Sequence, residues 1–63
     1  MKVNIFDIKG NSLQLISWDN ELPKVGDYIY INSIDVSAIV LKRSFDMKNS
    51  TVYITIDVEI NKL

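Results

Sequence analysis

The sequence predicts an all-β fold, a five-stranded antiparallel and strongly bent meander that closes as a small barrel over residues 1–63, one domain. Three observations predict it. β-Branched and aromatic residues dominate, and apolar positions nowhere recur at helical spacing for more than a turn. Turn-forming clusters at Lys9–Asn11, Asp19–Asp27, Asn32–Ser33 and Asp46–Ser50 cut the chain into five extended segments. The third observation is a change of apolar parity inside the fourth segment, which a strictly alternating strand cannot make without an extra residue.

The first two predicted strands, Lys2 to Lys9 and Ser12 to Trp18, flank Gly10 and Asn11, residues that tolerate the positive φ of a two-residue hairpin turn. That turn pairs Lys9 with Ser12, Ile8 with Leu13 and Phe6 with Leu15. Ile5 then faces Ile16, and Val3 faces Trp18, on the opposite side. Both sides are apolar, whereas a small sheet normally keeps one wet face. Either the hairpin coils so that each half lends a different side to the core, or another chain covers one side.

The third predicted strand, Asp27 to Ile31, alternates Tyr28 and Tyr30 outward with Ile29 and Ile31 inward. With Asn32 and Ser33 central in a tight turn, Ile31 faces Ile34 and Ile29 faces Val36. The fourth and fifth strands, Ile34 to Phe45 and Thr51 to Ile60, are joined by a four-residue loop from Met47 to Ser50. This aligns Asp46 with Thr51, Phe45 with Val52, Leu41 with Ile56 and Ile39 with Val58, leaving Lys42, Ser44, Val40 and Ala38 on a mostly solvated side. A bulge is therefore expected near Ser37 and Ala38, with Val36 and Ile39 both buried, turning the strand from one layer to the next.

The strings LPKVGD at Leu22 to Asp27, YIYINSIDVSAIVLKRSFD at Tyr28 to Asp46 and TVYITIDVEI at Thr51 to Ile60 together resemble the SH3-like small β-barrels. The likeness is greatest to short bacterial and mobile-element proteins with an LPxVGD loop. The resemblance spans Leu22 to Ile60 and implies a barrel, but it brings no catalytic residue with it.

Composition narrows the chemistry. With no cysteine and no histidine, the chain has no disulfide, thiolate metal site, cysteine nucleophile or imidazole base. No enzyme activity, cofactor or metal is expected. A formal charge of −1 gives no global attraction for phosphate polymers. Polar residues interrupt every apolar run, including the first 18 residues, so a soluble cytoplasmic protein is expected. The acid pairs Asp19 with Glu21 and Asp57 with Glu59 are read as solvated surface, and Arg43 is expected to snorkel or to pair with Asp46.

The candidate partner-binding residues are Tyr28, Tyr30, Tyr53, Trp18 and Lys42. Outward tyrosines supply stiff contact area with a polar tip, which suits protein interfaces and base stacking alike. Trp18, beside the long loop, is expected to plug one end of the core. The function expected is a non-catalytic protein–protein interaction module, a homo-oligomer or a small accessory or inhibitor protein. The alternative is a nucleic-acid-binding barrel using the tyrosines and Lys42, disfavoured by Asp27 beside Tyr28 and by Asp35 opposite Tyr30.

Overall fold

The β-branched runs form five strands in a computed structural model that describes residues 1–60: β1 (Lys2–Phe6), β2 (Ser12–Ser17), β3 (Tyr28–Ile31), β4 (Val36–Asp46) and β5 (Thr51–Ile56). No helix forms among the described residues, and none is long and apolar enough to cross a membrane. The strands make one strongly curled sheet, a half-barrel, in the order β2-β1-β5-β4-β3. The sheet is mixed, not the purely antiparallel meander the sequence predicts, because β1 runs parallel to β5. Hairpin turns dictate only neighbouring pairs; the β1–β5 pair is made by two strands from opposite ends of the chain. Their alignment sets Val3 beside Val52 and Ile5 beside Ile54, and all four side chains are buried.

The β1–β2 register differs by two residues from expectation, with Val3 opposite Ile16 and Ile5 opposite Gln14. A shift of two keeps every side chain on its expected face. A bulge between Ile5 and Phe6 opposes Phe6 to Ser12 and skips Leu13, which packs against the core. Within the chain, Val3, Ile5 and Ile16 face inward, Leu13 is taken up by the bulge, and Phe6 lies edge-to-face on Tyr53. Ile8 and Leu15 stay exposed.

β1 stops at Phe6 because Asp7 closes the turn. Its carboxylate, 1 % exposed, accepts hydrogen bonds from Lys9 N at 3.0 Å, Asn11 N at 2.8 Å, Asn11 Nδ2 at 2.9 Å and Ile60 N at 3.1 Å. Ile8 N donates to the Val58 carbonyl at 2.9 Å, and Lys9 pairs with Glu59 at 2.6 Å. Burial pushes the Asp7 pKa up, but the Asn11 amide and the backbone N–H groups of Asn11, Ile60 and Lys9 outweigh it and hold the carboxyl down to about 2. Gly10 takes φ of 87° in this turn.

The same device recurs at the β4–β5 turn. Asp46 accepts from Lys48 N, Asn49 N and Asn49 Nδ2, while Ser50 takes the left-handed conformation at φ 49°. The strings FDIKGNS (Phe6–Ser12) and FDMKNST (Phe45–Thr51) share an Asp that accepts from the residue two further on and from an Asn, four residues on in the first turn and three in the second.

The parity change in β4 occurs at Leu41, not near Ser37 and Ala38. The register runs as expected from Asp46–Thr51 to Lys42–Thr55, then skips Leu41 and sets Val40 opposite Ile56. Ala38 and Val40 are consequently buried, Ile39 is half-buried, and Val36, Leu41 and Phe45 are exposed at 38 %, 45 % and 51 %. The cause lies across the strand in the PKVGD loop. Asp27 N donates to Lys24 O, closing a turn whose third residue, Gly26, needs its φ of 96°. Gly26 N and Val40 O are joined at 2.8 Å, and Val40 N and Asp27 O also at 2.8 Å, so two residues oppose one in a glycine bulge. That bulge pins Val40 inward and passes the extra residue to Leu41. The β3–β4 turn is also longer than expected, with Ile31 opposite Val36 and Asp35 at φ 56°.

Two outcomes check this packing. Ile54→Ala, at a fully buried site, should cost about 2–5 kcal/mol in urea unfolding, whereas Leu41→Ala should change stability by only about 0.5 kcal/mol. Stability should also fall on acidification. Asp7 is depressed, so its contribution is complete above the unfolded carboxyl value of about 4 and is lost as pH drops through about 2. Asp46 is lowered as well, chiefly by the Asn49 side chain, and acts in the same direction. Asp7→Asn should therefore be less stable at neutral pH and lose less stability between about pH 4 and 2, as read from melts across that range.

Candidate partner-binding surface

β3 is one edge of the sheet, and its register shows which of its backbone groups are free. Val40 bonds toward Asp27, while Ile39 O accepts from Asp57 N on the other side of β4. Alternation then turns the N–H and C=O groups of Ile29 and Ile31 toward β4, and those of Tyr28 and Tyr30 toward the free edge. The two tyrosine rings stand on the outer face, 72 % and 54 % exposed. Opposite Tyr30 lies Ser37, not Asp35 as expected from a shorter turn.

The other sheet edge, β2, is treated differently. It is bulged at Leu13, carries Ser12, Gln14 and Ser17, and its Leu13 carbonyl accepts the Ser33 hydroxyl at 2.9 Å. This one hydrogen bond ties the β3–β4 turn to β2, and the strands do not otherwise pair across the seam. β3 is short, four residues, and the Gly26 bulge precedes it, but between Tyr28 and Ile31 it carries no charge or proline to blunt its edge.

Trp18 and Tyr28 come together at the head of this edge. With Glu21, Leu22, Pro23, Lys24, Asp27 and Ile29 they line an open cleft of about 520 Å³. The Trp18 indole N–H donates to the Glu21 carbonyl at 3.1 Å, and Lys24 N donates to Asp27 Oδ2 at 2.9 Å, which fix the loop around the cleft. Trp18 also packs half-buried against the core, so one side chain meets both the core and the cleft.

Tyr53 and Lys42 lie elsewhere. The Tyr53 hydroxyl donates to Asp46 Oδ2 at 3.1 Å and its ring meets Phe6 at 5.9 Å between centroids, so this tyrosine braces the β4–β5 turn. The Asp46 carboxylate that takes its hydrogen bond raises the Tyr53 pKa, with burial adding to the effect. Lys42 stands opposite Thr55, past the Leu41 bulge from the β3-paired part of β4. Arg43 does not pair with Asp46; its guanidinium donates to the Pro23 carbonyl at 2.9 Å. It borders a second, mainly apolar pocket of about 360 Å³ with Met1, Leu22, Ser44, Phe45 and Val52.

In each acid pair one member meets a lysine: Glu21 reaches Lys24 at 3.7 Å and Glu59 pairs with Lys9. No group of three metal-ligating side chains occurs among the described residues. What sequence reasoning misses are the turn-closing role of Asp7 and the Asn49 and Tyr53 contacts of Asp46, for which the shared FD(I/M)K string is the available signal, and the cleft, whose loop has no periodicity to read. No protein-family model, curated protein or solved structure matches this chain.

Proposed function

We propose that this chain is a non-catalytic protein–protein interaction module that binds a second copy or a larger protein along the free edge of β3. The observation that carries the reading is the conjunction at Tyr28 and Tyr30 of outward backbone groups with two exposed aromatic rings. A sheet edge of this kind takes an added strand, whose main-chain bonds supply affinity while alternate side chains supply choice. Tyrosines are frequent anchors at such contacts. The chain is also short enough that its own core gives limited stability, which a bound partner would raise. The corner-turning β4 supports an SH3-like character for the segment Leu22 to Ile60, with the barrel left open at β3. A reducing, cytoplasmic setting suits a chain without cysteine.

The nucleic-acid alternative draws little from the geometry. Lys42 is not grouped with Tyr28 and Tyr30, and Glu21 and Asp27 line the cleft beside Tyr28. Phosphate would meet carboxylates there.

Tyr30→Pro tests the proposal, because the Tyr30 N–H faces away from β4 and its loss leaves the β3–β4 ladder whole. Light scattering at high micromolar concentration and capture of partners from the source cell should show self-association or a partner with the wild type. Tyr30→Pro should show neither while keeping its circular dichroism. Tyr53→Phe should lower the melting temperature and leave binding intact. Equal binding by wild type and Tyr30→Pro would refute the edge reading, and saturable oligonucleotide binding at low salt would replace it with the nucleic-acid one.

A further inference from the structure

The cleft at the head of β3 has a chemistry that the bare sheet edge lacks. We infer that it receives a cationic side chain, arginine ahead of lysine, from the segment that docks along β3; the inference rests on the edge-binding reading and names the chemistry of its partner. Tyr28 and Ile29 line the cleft and are also the first two residues of the free edge, so an added strand passing Tyr30 and Tyr28 runs on to it.

The walls favour a cation. Trp18 spends its indole N–H on the Glu21 carbonyl, which sets the ring in place without occupying its face, and Tyr28 is exposed. Aromatic faces attract guanidinium and ammonium groups through their quadrupole. The loop from Asp19 to Asp27 carries Asp19, Glu21 and Asp27 against Lys24, and its other cation, Arg43 on the Pro23 carbonyl, borders the second pocket and not this cleft. Glu21 and Asp27 line the cleft itself, and the Lys24 ammonium meets Glu21 at 3.7 Å with both side chains largely in water. Lys24 is thus a loosely held internal cation that an incoming one displaces. A guanidinium is preferred because it stacks flat on an aromatic ring and forks toward carboxylates, which an ammonium does not. An acidic or phosphorylated segment would be repelled.

Trp18 is the single tryptophan of the chain, so its fluorescence reports on the cleft directly. The probe is the blocked peptide Arg-Thr-Val-Thr-Val, compared with versions carrying lysine, glutamate or citrulline, the neutral isostere of arginine, in first place. Amide shifts at Tyr30 report docking along β3 separately. The arginine peptide should bind about tenfold more tightly than the citrulline one, with lysine between and glutamate weakest. Lys24→Met should tighten the arginine peptide, and Glu21→Gln with Asp27→Asn should erase its advantage while the amide at position 27 still caps the turn. Tyr30→Pro should weaken all four peptides alike and leave their ratio unchanged. Equal affinity for arginine and citrulline, or no saturable response to the arginine peptide up to millimolar concentration, would overturn the cleft inference. An undiminished arginine preference in a Tyr30→Pro variant that binds as well as wild type would instead overturn the β3 reading.

Discussion

The Asp7 carboxylate holds together what the chain order keeps apart. A buried anion is tolerable only when hydrogen-bonded, and this one collects two donors from Asn11, one from Lys9 and one from Ile60. The first three close the β1–β2 turn; the fourth clamps the segment after β5 onto it. The parallel β1–β5 pair is consequently fixed at its far end, where Ile8 bonds to Val58 and Lys9 to Glu59. Since β1 and β5 lie at the middle of the sheet and bury Val3, Ile5, Val52, Ile54 and Ile56, the placement of every other strand follows from that pair.

From this centre the sheet curls through β4. The turn at Gly26 pins Val40 inward, Leu41 absorbs the extra residue, and one strand serves β3 with its first part and β5 with its second. The curl brings the β3–β4 turn within reach of β2, where, among the described residues, one hydrogen bond spans the seam, from the Ser33 hydroxyl to the Leu13 carbonyl. The open edge at Tyr28 and Tyr30 is thus a product of the same geometry that buries the core. Its aromatic rings and outward amides adjoin, at Tyr28, a cleft walled by Trp18 and the loop from Glu21 to Asp27, so a single extended segment could engage all three.

Much of this was readable from the residues, and the failures have physical causes. The strand count, the β4–β5 register from Asp46 to Lys42 and the facing of both other hairpins apart from Leu13 are accessible, the facing because register errors of two residues preserve it and Leu13 because a bulge does not. The two turn lengths were not, since Asp7 and Asp35 sit in alternating runs and their turn roles depend on a carboxylate network and a positive φ. The bulge was inferable from parity, but its position depends on Gly26, fifteen residues upstream of Leu41. Nothing local announces a parallel pair. Of the candidate surface, Tyr28 and Tyr30 follow from alternation, whereas alternation alone sets Tyr53 equally outward and does not show its hydroxyl on Asp46. Trp18 met Tyr28 only through the fold of an aperiodic loop.

Residue-resolved amide hydrogen exchange at low protein concentration tests the central claim, that a locked β1–β5 centre leaves β3 open. The account predicts slow exchange at Asn11, Lys9 and Ile60, whose N–H groups bind Asp7, and fast exchange at Tyr28 and Tyr30 beside protected Ile29 and Ile31. Protection of Tyr28 and Tyr30 equal to that of Ile29 in the isolated monomer, or rapid exchange at Asn11 and Ile60, would contradict it.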